Sequence, residues 1–173
     1  MLRIITTSVT ETMEAGYKLG NILEPGDVIC LFGDLGTGKT VFTGGIAKAL
    51  GIDGYITSPT FSIVNEYNGR LPLFHFDVYR IADTEEMFEI GFEEYLDAGG
   101  IVVIEWAGVI SDIIPENRIE VKIEKMGIDA GSIDKRRITF AFRGENGCKK
   151  KKELLNQFTE ENEAEIINDN TCN

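Results

Sequence analysis

Gly33-Asp34-Leu35-Gly36-Thr37-Gly38-Lys39-Thr40 is the stretch on which the reading of the whole chain turns. It fills every fixed position of the pattern Gly-x-x-x-x-Gly-Lys-[Ser/Thr]. It also lies where such a loop must lie, after a short apolar run (Val28 to Phe32) and before a helical one (Val41 to Leu50). Glycines let the backbone wrap closely enough for several N–H groups to face one anion, and the following helix N-terminus adds its partial positive charge. Lys39 supplies a cation for terminal phosphates, and the Thr40 hydroxyl is a ligand for the accompanying Mg²⁺. A chance glycine turn would not satisfy both pattern and context.

Outward from the loop, the periodicity predicts a helix over 10–23, with Met13, Tyr17, Gly20 and Leu23 on one face and Pro25-Gly26 closing it. The run to Phe32 reads as a strand buried on both faces. Gly44 and Gly45 inside the next helix cost propensity, which points to close packing against the sheet. Phe61 to Tyr67 and Arg70 to Asp77 flank Asn68-Gly69, a hairpin signal with no place in a purely parallel βαβ domain. Asp83 with Glu86 resembles a capping box for one helix through about Leu96, and Gly99-Gly100 breaks it. Ile101 to Ile104 is a second buried strand. Arg118 to Glu124 and Arg136 to Phe142 form an expected antiparallel pair joined by a Gly/Asp-rich loop. From Glu145 a charged tail begins: Lys149 to Lys152, an amphipathic helix around 154–158, then an acidic segment expected to be disordered. The expected architecture is α/β with a single nucleotide-binding domain over 1–144, central parallel strands flanked by antiparallel ones.

The 173 residues, 43% of them apolar, suit one well-cored domain, and no run is long enough to cross a membrane. The N-terminus lacks signal-peptide character, and three cysteines without metal-ligand spacing argue against a disulfide framework or a zinc site. A cytoplasmic protein is expected. A net charge of −12 repels phosphate backbones, so broad contact with nucleic acid is not expected; solubility or a basic partner explains the charge equally well.

Nucleotide hydrolysis needs a carboxylate for the Mg²⁺ shell and a group that orients water, and both are expected at the C-terminal ends of strands beside the loop. Glu105, directly after four aliphatics, and Asp77, ending Leu73-Phe74-His75-Phe76, fit that place; each could also be a surface acid closing a strand. Arg80 is within reach of phosphate or of a nearby acid. His75 shares a strand face with Asp77, where a lone histidine is more often structural. Thr60 stands where a mobile switch could complete the Mg²⁺ shell. Trp106 suits the nucleotide site, a partner contact or the core. The absence of Asn-Lys-x-Asp removes the usual guanine-reading motif and leaves ATP as the expected nucleotide.

These pieces in order, the glycine loop, Ser58-Pro59-Thr60-Phe61, His75-Phe76-Asp77-Val78-Tyr79-Arg80 and Ile104-Glu105-Trp106, resemble the TsaE family over roughly residues 4–125. The resemblance implies a P-loop fold and an ATPase acting with TsaB and TsaD to form threonylcarbamoyladenosine at position 37 of tRNAs reading codons that begin with A. It implies an ATP site from Gly33 and Asp34 through Leu35, Gly36, Thr37, Gly38, Lys39 and Thr40 to Val41. Thr40 and Glu105 would hold Mg²⁺ and Asp77 would be the acid tied to hydrolysis. Ser58, Pro59 and Thr60 would form a switch-like loop, with Trp106 and Arg80 near the site and residues around Thr10–Thr12 close to adenine. A threonine at 37, where the family usually has a small residue, leaves the fixed glycines intact. A small-molecule kinase and a nucleotide-dependent binding module remain the alternatives, the former without the usual arginine-rich lid.

Overall fold

The computed structural model describes residues 1–127, 134–145, 147–159 and 167–168. Within them, β1 (Leu2–Thr6), α1 (Val9–Asn21), β2 (Val28–Phe32), α2 (Lys39–Ala49), β3 (Val64–Tyr67) and β4 (Leu73–Asp77) are followed by α3 (Glu85–Glu89), α4 (Phe92–Asp97) and β5 (Ile101–Glu105). A stretch of 3-10 turns over Ala107–Ile113 leads to β6 (Ile119–Lys125), β7 (Arg136–Phe142), α5 (Gly147–Thr159) and β8 (Ile167–Asn168). The strands make one sheet in the order β3-β4-β5-β2-β6-β7-β1-β8. Its centre, β4-β5-β2-β6, is parallel, whereas β3 on one edge and β7, β1 and β8 on the other are antiparallel. This is the expected arrangement of parallel strands between antiparallel ones. Leu2-Arg3-Ile4-Ile5-Thr6 alternates too briefly to mark a strand by pattern alone, and pairing with β7 and β8 makes it one.

Strand alternation divides the interior in two. Ile29, Leu31, Leu73, Ile101 and Val103 face a core closed by α1, α2 and α5, while Val28, Cys30, Phe74, Phe76, Val102 and Ile104 face one closed by α3, α4 and the 3-10 turns. Burial on both faces is why β2 and β5 read as unbroken aliphatic runs. Burial also pushes the Cys30 thiol up to about 12, so it is an inert apolar filler.

Several expectations change. The α1 face turned inward carries Thr12, Ala15, Gly16 and Leu19, and Met13 is exposed. Of the two α2 glycines, Gly45 serves α1 rather than the sheet: a methyl there would lie 1.9 Å from the Met13 carbonyl oxygen, and one at Gly16 of α1 would lie 2.1 Å from that of Phe42. The single helix expected over 83–96 is two, because Gly91 takes a left-handed φ of 73° between α3 and α4. Asp83 and Glu86 still cap its start, Asp83 Oδ1 accepting from Glu85 N and Glu86 Oε1 from Ala82 N. Finally, the helix read around 154–158 runs from Gly147 to Thr159, and Leu154 and Phe158 join the core. Cys148 on it is disulfide-bonded, contrary to the expectation from an odd cysteine count. Beyond this helix, where disorder is expected, Ile167–Asn168 instead pair with β1 as β8; the rest of that segment, like most of the Gly/Asp-rich loop before β7, falls outside the described residues.

Lys150 seats α5. Its ammonium, buried, donates to Glu24 Oε2 at 3.2 Å and to Asp27 Oδ2. The hydrogen bond from Lys150, then its charge, hold the Glu24 carboxyl below its ordinary 4.5. A depressed folded pKa means the stabilisation is present above pH 4.5 and is lost as pH falls through the folded value. Lys150→Met is therefore expected to flatten the acid limb of stability below pH 4.5, followed by urea unfolding against pH. At the helix crossing, Gly45→Ala is expected to cost about 1–3 kcal/mol through overpacking, whereas Gly44→Ala, whose methyl meets nothing nearer than 3.9 Å, gains about 0.5–1 kcal/mol of helix propensity.

Candidate nucleotide site

The loop from Gly33 to Gly38 leaves the C-terminal end of β2 and delivers the chain into α2. Gly33, Gly36 and Gly38 have φ of 141°, 71° and 108°, values that side-chain-bearing residues avoid, so the pattern's glycines are conformational requirements. The α2 N-terminus has neither a side-chain cap nor an acid in its first turn. The contrast is α1, where Ser8 Oγ accepts from Glu11 N at 3.1 Å and Glu11 Oε2 accepts from Thr7 N at 2.6 Å. The free N–H groups and positive end of α2 are thus left for an anion from outside the helix.

Lys39 is buried beneath this loop. Its ammonium donates to the carbonyls of Gly33 (2.8 Å) and Asp34 (3.0 Å) and lies 4.0 Å from the centre of the Trp106 ring. Burial lowers its pKa, opposed by the carboxylates of Glu105, Asp77 and Asp34, which favour the charged form.

Asp77 and Glu105 are register partners at the ends of the parallel strands β4 and β5, and both are buried. Buried carboxylates need hydrogen-bond donors, and here each has its own set. Glu105 Oε1 accepts from the Thr40 hydroxyl at 2.8 Å and faces His75 Nε2 at 3.0 Å, which donates in the Nε2–H tautomer. Asp77 Oδ2 accepts from Thr60 Oγ1 at 2.8 Å and from Ser58 Oγ; its Oδ1 accepts from Tyr79 N at 3.1 Å. Pro59 between the two hydroxyls is buried, and its carbonyl accepts from Ile63 N at 2.7 Å. Among the described residues, the non-glycine positions with left-handed φ are Ile63 (65°) and Trp106 (62°), and both adjoin this site. Ile63 presents its carbonyl to Asp77 N at 3.0 Å, and Trp106 directly follows Glu105 to lie beside Tyr79 and Lys39. Such backbone strain gathers where function over-determines a conformation.

Most residues named from sequence therefore converge. Thr40 meets Glu105, Ser58 and Thr60 meet Asp77, and Trp106 covers Lys39. Thr60 gives its hydroxyl to Asp77 instead of standing apart for a cation. Thr12, on the helix expected near adenine, comes within 3.5 Å of where a Gly38 side chain would begin. Val41 lines a groove of about 400 Å³ with Thr40, Met13, Ile52 and Tyr55. Leu35 points outward, 84% exposed, and contributes backbone only. Arg80 is exposed with its guanidinium over the Phe61 ring at 4.5 Å. Two further residues belong to the site. His75 is tied to Glu105, a role its position two residues before Asp77 could have suggested. Arg136 Nε donates to the Thr37 carbonyl at 2.9 Å from 99 residues away, and nothing local in the sequence signals it.

Thr40 Oγ1 and Glu105 Oε1, hard oxygens 2.8 Å apart beside an uncapped helix end, suit a Mg²⁺ ion that also binds phosphate. No group of three or more His, Cys, Asp or Glu side chains among the described residues forms an all-protein metal cage. That donor set fits a cation whose shell is completed by a nucleotide and water, as Mg²⁺ prefers.

Comparison with known proteins agrees with this geometry. Residues 6–138 match the family described as threonylcarbamoyl adenosine biosynthesis protein TsaE. A tRNA threonylcarbamoyladenosine biosynthesis protein TsaE of Bacillus subtilis is 42% identical over 140 residues, 80% of this chain and 84% of that protein. One from Treponema pallidum is 41% identical over 122 residues, 70% of this chain and 90% of that protein. The crystal structure of Bacillus subtilis YdiB superposes with a TM-score of 0.78 at 35% identity, covering 91% of this chain and 97% of that one.

The His75–Glu105 contact is checked by a double-mutant cycle. His75→Leu and Glu105→Gln are expected to show a coupling of about 0.5–3 kcal/mol in urea unfolding, whereas additive losses would mean the two side chains do not share a bond.

Proposed function

The chain belongs to the TsaE family, and from that premise we propose that it is a Mg²⁺-dependent ATPase subunit that works with TsaB and TsaD to form threonylcarbamoyladenosine in tRNA. The observation that carries the reading is the meeting of the Thr40 hydroxyl with the Glu105 carboxylate beside the uncapped N-terminus of α2. A nucleotide-binding loop alone fits many activities; this loop with two buried strand-end carboxylates fits phosphoanhydride hydrolysis.

Bound MgATP supplies the anhydride and the cation that neutralises its charge. Glycine-loop N–H groups and the α2 N-terminus bind the phosphates. Lys39, now on the Gly33 and Asp34 carbonyls, exchanges them for phosphate oxygens, and the stacked Trp106 ring keeps the ammonium in place. Thr40 and Glu105 hold Mg²⁺, with His75 fixing the carboxylate by its second bond. Asp77 accepts a hydrogen bond from the attacking water and orients it. Because Ser58 and Thr60 occupy one Asp77 oxygen, movement of their loop sets how free that carboxylate is.

The partner reading draws on the rim. Leu35 (84% exposed), Phe61 (87%), Tyr79 (59%) and Val109 (44%) surround the phosphate end of the sheet in a chain carrying −12. Apolar groups gathered at a site mouth suit a protein lid, and the acidic charge suits tRNA contact made through the partners. No helix among the described residues is long and apolar enough to span a membrane. The proposed place of action is the cytoplasm.

Phosphate release from ATP tests the reading, measured alone and with TsaB and TsaD. Turnover is expected to be slow alone and to rise with the partners; unchanged turnover would defeat the partner role. Asp77→Asn is expected to lower turnover by about 10²–10⁴ while ADP still binds. Lys39→Ala is expected to lose nucleotide binding. Label from the γ-phosphate appearing on an acceptor rather than in free phosphate would establish a kinase. Full function of Asp77→Asn in cells, with none for Lys39→Ala, would leave a binding module.

A further inference from the structure

Arg136 opens β7 with its backbone in register with Lys125 of β6 on one side and Thr6 of β1 on the other, so its side chain springs from a rigid point in the sheet. It is buried. Its Nε donates to the Thr37 carbonyl at 2.9 Å, and Nη1 donates to the Asp134 carbonyl with Asp134 Oδ1 at 3.5 Å. A guanidinium taken out of water and aimed at a carbonyl of the phosphate loop calls for a purpose, since burial of that charge is costly.

Peptide geometry supplies one. The unit joining Thr37 to Gly38 is planar and trans, so its C=O and N–H point in opposite directions. Holding the Thr37 oxygen toward β7 turns the Gly38 N–H away from β7, to the side on which such loops receive phosphate. Gly38, at φ 108° and without a side chain, would otherwise let this peptide rotate easily. The Gly33 and Asp34 carbonyls are held by Lys39, whose ammonium is needed by the ligand. The Thr37 carbonyl is held from outside the loop, by Arg136 of β7.

We propose that Arg136 is a positioning residue for phosphate binding, locking the Thr37–Gly38 peptide so that the Gly38 N–H is preset for a phosphate oxygen of a nucleoside triphosphate. The proposal rests on the nucleotide reading of the site. It is tested by calorimetric binding of MgADP and of pyrophosphate, and by the Gly38 amide resonance of the ligand-free protein, in wild type and Arg136→Ala. Both affinities are expected to fall about tenfold, the Gly38 resonance to move, and millimolar guanidinium to restore each. Affinity within twofold of wild type with an unmoved Gly38 resonance overturns the proposal. So does a loss of affinity that neither moves that resonance nor responds to guanidinium, which would be general destabilisation. Arg136→Lys, which keeps the charge and the apolar stem, takes the same measurements if the alanine variant does not fold. A wild-type protein that binds neither ligand overturns the nucleotide reading instead, and the Gly38 resonance still reports on the bracing.

Discussion

Two carboxylates buried side by side constrain this molecule more than any other feature. Asp77 and Glu105 sit opposite one another on adjacent parallel strands, where their mutual repulsion is poorly screened. Each must be compensated, and the compensating groups come from every part of the structure that makes the site. Thr40 comes from the helix after the glycine loop, His75 from two residues up the same strand, and Ser58 and Thr60 from the long connection before β3. Lys39 stands nearby as the positive charge that both favour. A cation drawn into this corner would relieve the same repulsion.

The glycine loop can deliver Thr40 to Glu105 only because α2 lies in one place, and α1 determines that place. Gly16, Gly20 and Gly45 remove the side chains that would hold the two helices apart. Their backbones approach to contact, and the apolar residues on either side close over Ile29 and Leu31 of β2. The stability lost by glycines inside helices is thereby exchanged for a fixed origin of the phosphate cradle. The sheet completes the job from its far side, where β7 sends Arg136 back to the loop.

Much of this was legible in the chain itself. Left-handed glycines with Lys39 and Thr40 behind them leave a fixed spacing, and aliphatic runs ending in Asp77 and Glu105 name both strand and acid, because these features depend on neighbours within a few residues. The same locality explains the misreadings. Met13 falls at helical spacing with Tyr17 and Leu23, but which stripe of α1 turns inward depends on α2. Gly91 divides a segment whose composition suits one continuous helix. Leu154 and Phe158 looked like one short turn of helix until α1 and Phe140 gave them a surface to cover. Arg80, directly after Tyr79 and three residues from Asp77, has its guanidinium over the Phe61 ring, a contact that sequence spacing does not announce.

By itself, then, the sequence determined the phosphate-binding loop, the two acids, the threonine that meets one of them and the mixed character of the sheet. Backbone torsion preference and strand alternation act over a few residues and leave their mark in spacing. Only the tertiary structure decided which donors satisfy which acid, that His75 belongs to Glu105 and Ser58 with Thr60 to Asp77, and that an arginine from β7 grips the loop. Those pairings depend on where the chain returns after tens of residues, a distance over which sheet order and helix packing decide and no local pattern survives.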